Sequence, residues 1–302
     1  MSFVTRFAPS PTGPLHLGHA YSAMLAHDMA RTKGATFLIR IEDIDRSRSR
    51  PQWEAQIYED LQWLGLSWPE PVLRQSDRQT AYDTALDRLW VNGLLYPCTC
   101  TRRDIQTALS APQEGVPTEG PDGLIYPGTC RSRPHGSAEV PRPRDITLRL
   151  DIALALKELG GSGSVRLSFL ETGTGPDGDS GEVEFSGQDM IRSVGDIVVA
   201  RKDMGTSYHL SVVLDDADQG VTHVVRGQDL FAATRIHVLL QRLLGLPTPS
   251  YHHHKLIRDD QGKRLAKRDD ARAISKFRTD GWTPDDIRKR VGLLDIRSET
   301  MR

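Results

Sequence analysis

The chain is short of cysteine, of aromatic residues and of net charge: three cysteines, 6% aromatics and a net charge of −1 in 302 residues. Three thiols, an odd and small number, argue against a disulfide framework and for a reducing compartment. With 39 basic and 40 acidic side chains, no global basic field announces nucleic acid, so any RNA contact must come from local patches. No apolar run reaches membrane-spanning length, and the N-terminus lacks the apolar core of a signal peptide. What is present, 38% hydrophobic and 26% charged residues, suits a soluble, cytoplasmic globular protein of one large or two modest domains.

The most informative stretch is Arg6-Phe7-Ala8-Pro9-Ser10-Pro11-Thr12-Gly13-Pro14-Leu15-His16-Leu17-Gly18-His19. Phe3 and Val4 read as the tail of a buried strand. Leu17, Ala20, Tyr21, Met24, Leu25 and Asp28 follow at helical spacing. Residues 9–14 are therefore a strand-to-helix turn, and both histidines fall in the first helical turn. Backbone N–H groups at a helix start lack intrahelical partners and carry partial positive charge, which suits phosphate. Gly13 and Gly18 let a ligand approach the backbone. Phe37-Leu38-Ile39-Arg40-Ile41 reads as a buried parallel strand, completing a βαβ unit of a doubly wound sheet. Glu42, Asp43 and Asp45 then sit at a strand end, where such sheets place ligand-contacting groups.

Trp53, Ile57, Leu61 and Leu64 mark one amphipathic helix; Tyr82, Ala85, Leu86, Leu89 and Trp90 mark another, closed by Gly93. Beyond Tyr96, seven prolines between positions 112 and 143 signal an insertion with little regular structure. Cys98, Cys100 and Cys130 bracket it. Thiolates suit Zn²⁺, which takes four ligands in a structural site, and spacing leaves the fourth open between Tyr126 and His135. Arg102, Arg103, Arg131, Arg133, Arg142, Arg144 and Arg149 crowd the same segment and are expected to form a phosphate-contacting patch. Residues 164–170 and 181–186 read as strands, and Ile197-Val198-Val199 as the return to the main sheet. Residues 208–214 and 221–227 read as further strands. Ile236, Leu239, Leu240, Leu243 and Leu244 form a helix ended by Gly245 and Pro247. His252-His253-His254 leads into a strand, Lys263 to Arg268 is a basic loop, and Ile287, Val291 and Leu294 mark a terminal helix.

Taken together, these blocks resemble the class I aminoacyl-tRNA synthetases in the form used by the glutamyl group, from Arg6 to about Arg268. The resemblance implies a Rossmann-like, doubly wound α/β parallel sheet with an inserted zinc-containing α+β subdomain and a short helical C-terminus. The implied boundaries are 1–95 and 191–270 for the two halves of the core, 96–190 for the insertion and 271–302 for the tail. His16, Gly18 and His19 would meet ATP. Lys267 would join them as the lysine of the mobile second signature, in which Arg264 and Ala266 replace the usual lysine and serine. Arg6, Ala8, Ser10, Glu42, Tyr208 and Arg226 would bind L-glutamate, with Glu42 on its ammonium group and Arg6 or Arg226 on its side-chain carboxylate. Mg²⁺ would accompany ATP, and Cys98, Cys100, Tyr126 and Cys130 would hold one structural Zn²⁺, since a truncated branch of the group uses a tyrosine there. That branch lacks the helical anticodon-binding region and esterifies glutamate onto queuosine, a modified anticodon base of tRNA(Asp). The expected partners are thus glutamate, ATP and queuosine-bearing tRNA(Asp), with no membrane, and the protein a monomer. Rival readings are a glutamyl-tRNA synthetase core charging a tRNA 3′ end and a non-catalytic glutamate- or nucleotide-binding paralogue.

Overall fold

The computed structural model describes residues 3–109, 117–258 and 273–293. The strands are β1 (Val4–Phe7), β2 (Thr36–Ile41), β3 (Leu73–Arg74), β4 (Leu95–Cys98), β5 (Glu119–Gly120) and β6 (Gly123–Leu124) in the first half. β7 (Thr147–Leu150), β8 (Arg166–Glu171), β9 (Gly181–Ser186), β10 (Ile197–Ala200), β11 (His223–Gly227) and β12 (Ser250–His254) follow. Seven of them form one sheet in the order β3-β2-β1-β11-β12-β8-β9, parallel throughout except for β9. From β1 the chain crosses to β2, and from β11 it crosses to β12 on the other side. The boundary between β1 and β11 is therefore a topological switch point, where a crevice opens at the carboxyl ends of the strands. The fold is α/β and Rossmann-like.

Helices α1 (Leu17–Arg31), α2 (Pro51–Trp63), α3 (Gln79–Val91) and α4 (Arg102–Leu109) lie in the first part of the chain. α5 (Ile152–Glu158), α6 (Gly187–Ser193), α7 (Tyr208–Asp218), α8 (Thr234–Leu244), α9 (Ile274–Thr279) and α10 (Pro284–Val291) complete the set. One apolar core joins α1 and β2 to α9 and α10 through Met24, Ile39, Ile274 and Ile287. A second joins α3, α7 and α8 to β8 through residues such as Leu89, Leu210, Leu240 and Phe169. Gly245 caps α8 at φ +67°, a left-handed backbone that glycine adopts without strain.

Three expectations are corrected. Residues 208–214 are not a strand but open α7, whose N-cap Ser207 accepts a hydrogen bond from the Leu210 N–H. This helix is buried on nearly every side, His209 to Val213 all included, so its apolar, β-branched run carries no one-sided stripe that would separate helix from strand. β10 does not return to the main sheet; it pairs antiparallel with β7, which pairs with β4 in a separate three-stranded sheet. β8 and β9, read as part of the insertion, belong instead to the main sheet. Lys267, Arg264 and Ala266 lie outside the described residues, as does Leu294.

Candidate active site

At the switch point a cavity of about 390 Å³ opens beyond β1 and β11, lined by Arg6, Ala8, His16, Gly18, His19, Glu42, Tyr208 and Arg226. Ser10 lines an adjoining cavity of about 640 Å³, which shares Ala8, His19, Glu42 and Tyr208 with the first. The fold thus brings together every described residue singled out for ATP or amino-acid binding, from β1 and the turn that follows it, the start of α1, the residue just past β2, α7 and β11.

His16 is the N-cap of α1. Its Nδ1 accepts the Gly18 N–H at 3.1 Å, and His19 Nδ1 accepts the His16 N–H at 3.1 Å. This is a reciprocal capping box made by imidazoles. Because both Nδ1 atoms are acceptors, each neutral ring carries its proton on Nε2. The rings stack with centroids 3.8 Å apart. Both histidines are thereby built as Nε2–H donors at the positive end of a helix, a suitable environment for phosphate oxygens. A Cβ on Gly18 would stand 3.0 Å from the His16 ring, so glycine there makes room for the cap.

The floor of the cavity is a charged network that no pattern in the sequence announces. Asp216, on α7, accepts from Arg6 Nε at 3.0 Å and from Arg40 Nη1 at 2.6 Å. Arg40, fully buried, also donates to Glu42 at 3.2 Å. Burial alone would raise the Asp216 carboxyl, but Arg6 and Arg40 hold it below its usual range. Burial wins at Glu42, raising its pKa against the pull of Arg40. At Tyr208 burial, aided by the Glu42 charge, pushes the phenol up and keeps it a neutral hydrogen-bonding group.

Arg226 is held differently. Its Nε donates to His253 Nε2 at 3.1 Å, and Nη1 to His237 Nδ1 at 3.0 Å. Its Nη2 donates to Thr234 Oγ1 at 2.7 Å and to the Leu230 carbonyl at 3.3 Å. All of these acceptors are neutral. Among the described residues no carboxylate lies within ion-pair distance of this guanidinium, although Arg226 is only 5% exposed. Burial and the Arg226 charge hold His237 well below its ordinary pKa, hence uncharged. A buried cation without a counter-ion is costly, and an anionic ligand removes the cost.

The thiols form a second site. Cys98, Cys100 and Cys130 place their sulfurs within 4.8 Å of one another. The Tyr126 hydroxyl lies 3.5 Å from Cys98 Sγ, 3.3 Å from Cys100 Sγ and 2.8 Å from the Cys130 N–H. His135 is turned elsewhere, to Asp151 at 3.2 Å. Two thiolates on one Zn²⁺ stand roughly 3.8 Å apart given ~2.3 Å bonds, and Cys100 and Cys130 are already 3.5 Å apart. The donor set therefore fits such an ion. Burial would raise the Cys130 thiol, but hydrogen bonds from Tyr126 and the backbone prevail and lower it, favouring the thiolate that a metal needs.

Much of the expected arginine patch is engaged within the protein. Arg149 is buried, stacks over the Tyr126 ring at 3.7 Å and donates to the Asp196 carbonyl. Arg142 is paired with Asp83 and Asp87, Arg144 with Asp83, and Arg131 with Asp196. Acidic residues distant in sequence take up these charges, and Arg102 and Arg103 on α4 stay exposed.

A family model described as class I tRNA synthetases (E and Q), catalytic domain, matches residues 2–302. A glutamyl-Q tRNA(Asp) synthetase of Rhodobacter capsulatus is 62% identical over 96% of this chain and 100% of that protein. A protein of the same name from Symbiobacterium thermophilum is 40% identical over 93% of this chain and 83% of its own length. Among solved structures, a glutamate tRNA ligase from Elizabethkingia meningosepticum matches with a TM-score of 0.67 and 27% identity, over 89% of this chain. The chain spans about half of that ligase, 52% of its length.

Proposed function

Because this chain belongs to the class I tRNA synthetase family of the E and Q type, we propose that it activates L-glutamate with ATP and esterifies the glutamate onto queuosine in the anticodon of tRNA(Asp). The observation that carries the activation step is the Arg226 guanidinium, buried and without a carboxylate partner among the described residues, in the same cavity as Glu42 and the two Nε2–H histidines. The choice of acceptor is supported by the names of the relatives.

In this reading the glutamate side-chain carboxylate pairs with Arg226, and Glu42 takes the ammonium group, with Ser10 and Tyr208 adding hydrogen bonds. Arg6, already bound to Asp216, supports the same pocket beside Ala8. Glutamine offers a neutral amide to a desolvated guanidinium and is rejected. The α-carboxylate oxygen attacks the α-phosphorus of ATP; a new P–O bond forms, the bond to the β-phosphate bridge breaks and pyrophosphate leaves. His16 and His19 donate Nε2–H to the phosphate oxygens beside Gly18, joined by Lys267, so catalysis is positioning and charge stabilisation. Mg²⁺ bound with ATP would neutralise phosphate charge. Zn²⁺ on Cys98, Cys100, Tyr126 and Cys130 would staple the acceptor-side segment. A queuosine hydroxyl then displaces AMP from the adenylate. A base in a single-stranded loop can be splayed into the larger cavity.

The test is transfer of labelled glutamate to queuosine-bearing tRNA(Asp), unmodified tRNA(Asp) and tRNA(Glu), beside glutamate-dependent ATP–pyrophosphate exchange without RNA. Exchange with transfer only to the queuosine-bearing species is expected. Charging of tRNA(Glu) would overturn the acceptor, and absence of glutamyl-AMP would overturn the activity.

A further inference from the structure

The hydrogen-bond partners of Arg226 have consequences for proton positions two residues further out. A guanidinium can only donate, so His237 Nδ1 and His253 Nε2, its acceptors, carry no proton. The His237 proton is then on Nε2, which faces His209 Nδ1 at 3.1 Å. His209 Nδ1 is therefore the acceptor, and its own proton sits on Nε2, 3.3 Å from Asp122 Oδ1. On the other side, His253 carries its proton on Nδ1 and gives it to Glu171, which also accepts the His253 and Gly173 N–H groups. Two chains of neutral imidazoles thus run from Arg226, each ending on a carboxylate that Arg226 does not touch. The guanidinium is oriented without being neutralised.

The two ends differ. Glu171 is sealed, 2% exposed. Asp122 lies in the turn between β5 and β6, its side chain 40% exposed, and lines the larger cavity with Tyr208 and His209. Its carboxyl is held below the usual range: burial acts against this, and the His209 hydrogen bond together with nearby positive charge, Arg201 and Arg149 included, outweighs it.

We propose that Asp122 is a positioning residue for amino-acid binding: by accepting the His209 Nε2 proton it sets the tautomers of His209 and His237, and through them the aim of Arg226. This rests on the reading of the cavity as a glutamate-activating site. If Asp122 is removed, His209 can turn its proton to Nδ1. His237 Nε2 must then become the acceptor and Nδ1 the donor, which sets N–H against N–H at Arg226.

The test is Asp122→Ala, on an exposed turn where folding is not at stake, read in two ways on the full chain. In imidazole ¹⁵N spectra without substrates, wild type is expected to show His209 and His237 protonated on Nε2, with both signals moving toward the other tautomer in the variant. In ATP–pyrophosphate exchange, the KM for glutamate is expected to rise about fivefold or more, the scale of one buried hydrogen bond, with kcat within about twofold. Unmoved imidazole signals would overturn the proposal, as would an unchanged glutamate KM or a loss confined to kcat. Wild type without any exchange would remove the proposed function, while the spectra still test the imidazole chain.

Discussion

The switch-point cavity and the thiol cluster are both gathered sites, assembled over very different reaches of chain. The cavity joins β1 to α7 and β11; the Arg6–Asp216 pair alone closes 210 residues. The thiol cluster closes 30 residues between Cys100 and Cys130, beside the small three-stranded sheet. Parallel strands with crossovers bring remote positions to one edge, and the geometry is fixed by two large apolar cores. The cluster's own apolar support is small, little more than Tyr96, Ile105 and the ligands themselves, so it depends on whatever its donors bind. The two sites are therefore expected to fail independently.

The strongest test of that independence is Arg226→Gln. Glutamate-dependent exchange should fall about 10³-fold at subsaturating glutamate, since a charged pairing in a desolvated site is lost, while metal content stays unchanged. Loss of metal together with exchange would show the sites to be one unit. Next is Cys100→Ser. Metal content by atomic emission and transfer to tRNA should each fall about tenfold or more, with exchange within about threefold. Equal losses of exchange and transfer would erase the distinction. Within the cluster, Tyr126→Phe should weaken metal binding about tenfold, whereas His135→Ala, which removes contacts to Asp151 and to the Tyr96 ring but none to a thiol, should leave metal affinity unchanged in a chelator competition.

The smallest expected effect lies in neither site. Asp60 on α2 is buried, and that burial, opposed by Arg278 3.7 Å away, pushes its carboxyl up to about 6. A raised carboxyl means that the folded state takes up a proton, so stability falls as pH rises from the ordinary carboxyl range to about 6 and is flat above. Asp60→Asn should raise Tm by about 2–4 °C at pH 8 and leave it unchanged near pH 4. A gain of equal size at both pH values would rule out titration of Asp60 as the cause.

The same contrast in reach decides how much of each site the amino-acid sequence discloses by itself. The three thiols sit within 33 residues, so a shared ligand can be suggested from their spacing, whereas the choice of Tyr126 over His135 comes from the family resemblance. The first βαβ unit is legible because a turn rich in proline and glycine separates a short apolar strand from a long helical period. The cavity as a whole needs a family resemblance, since no local pattern ties residue 6 to residue 226. Asp216 and His237 escape notice for a physical reason. Asp216 is carried by α7, whose all-round burial imitates a strand, and only the cap at Ser207 betrays it. His237 reads as one more buried position of α8, and nothing in its neighbourhood in sequence points to Arg226 or His209. The arginine cluster is misleading in the opposite sense, because Asp83, Asp87 and Asp196, which pair with Arg131, Arg142 and Arg144, stand outside the window where the arginines crowd.

Asp216 between Arg6 and Arg40 has a consequence for heredity as well as for chemistry. A scan that changes one position at a time would score all three as intolerant and credit each with a role in turnover. Part of every such score would be the penalty of leaving a remaining charge with one partner fewer in a dry interior. Only combined replacements, judged against the sum of the single ones, separate the member that meets substrate from the two that keep it company, and lineages are expected to exchange the three together or not at all.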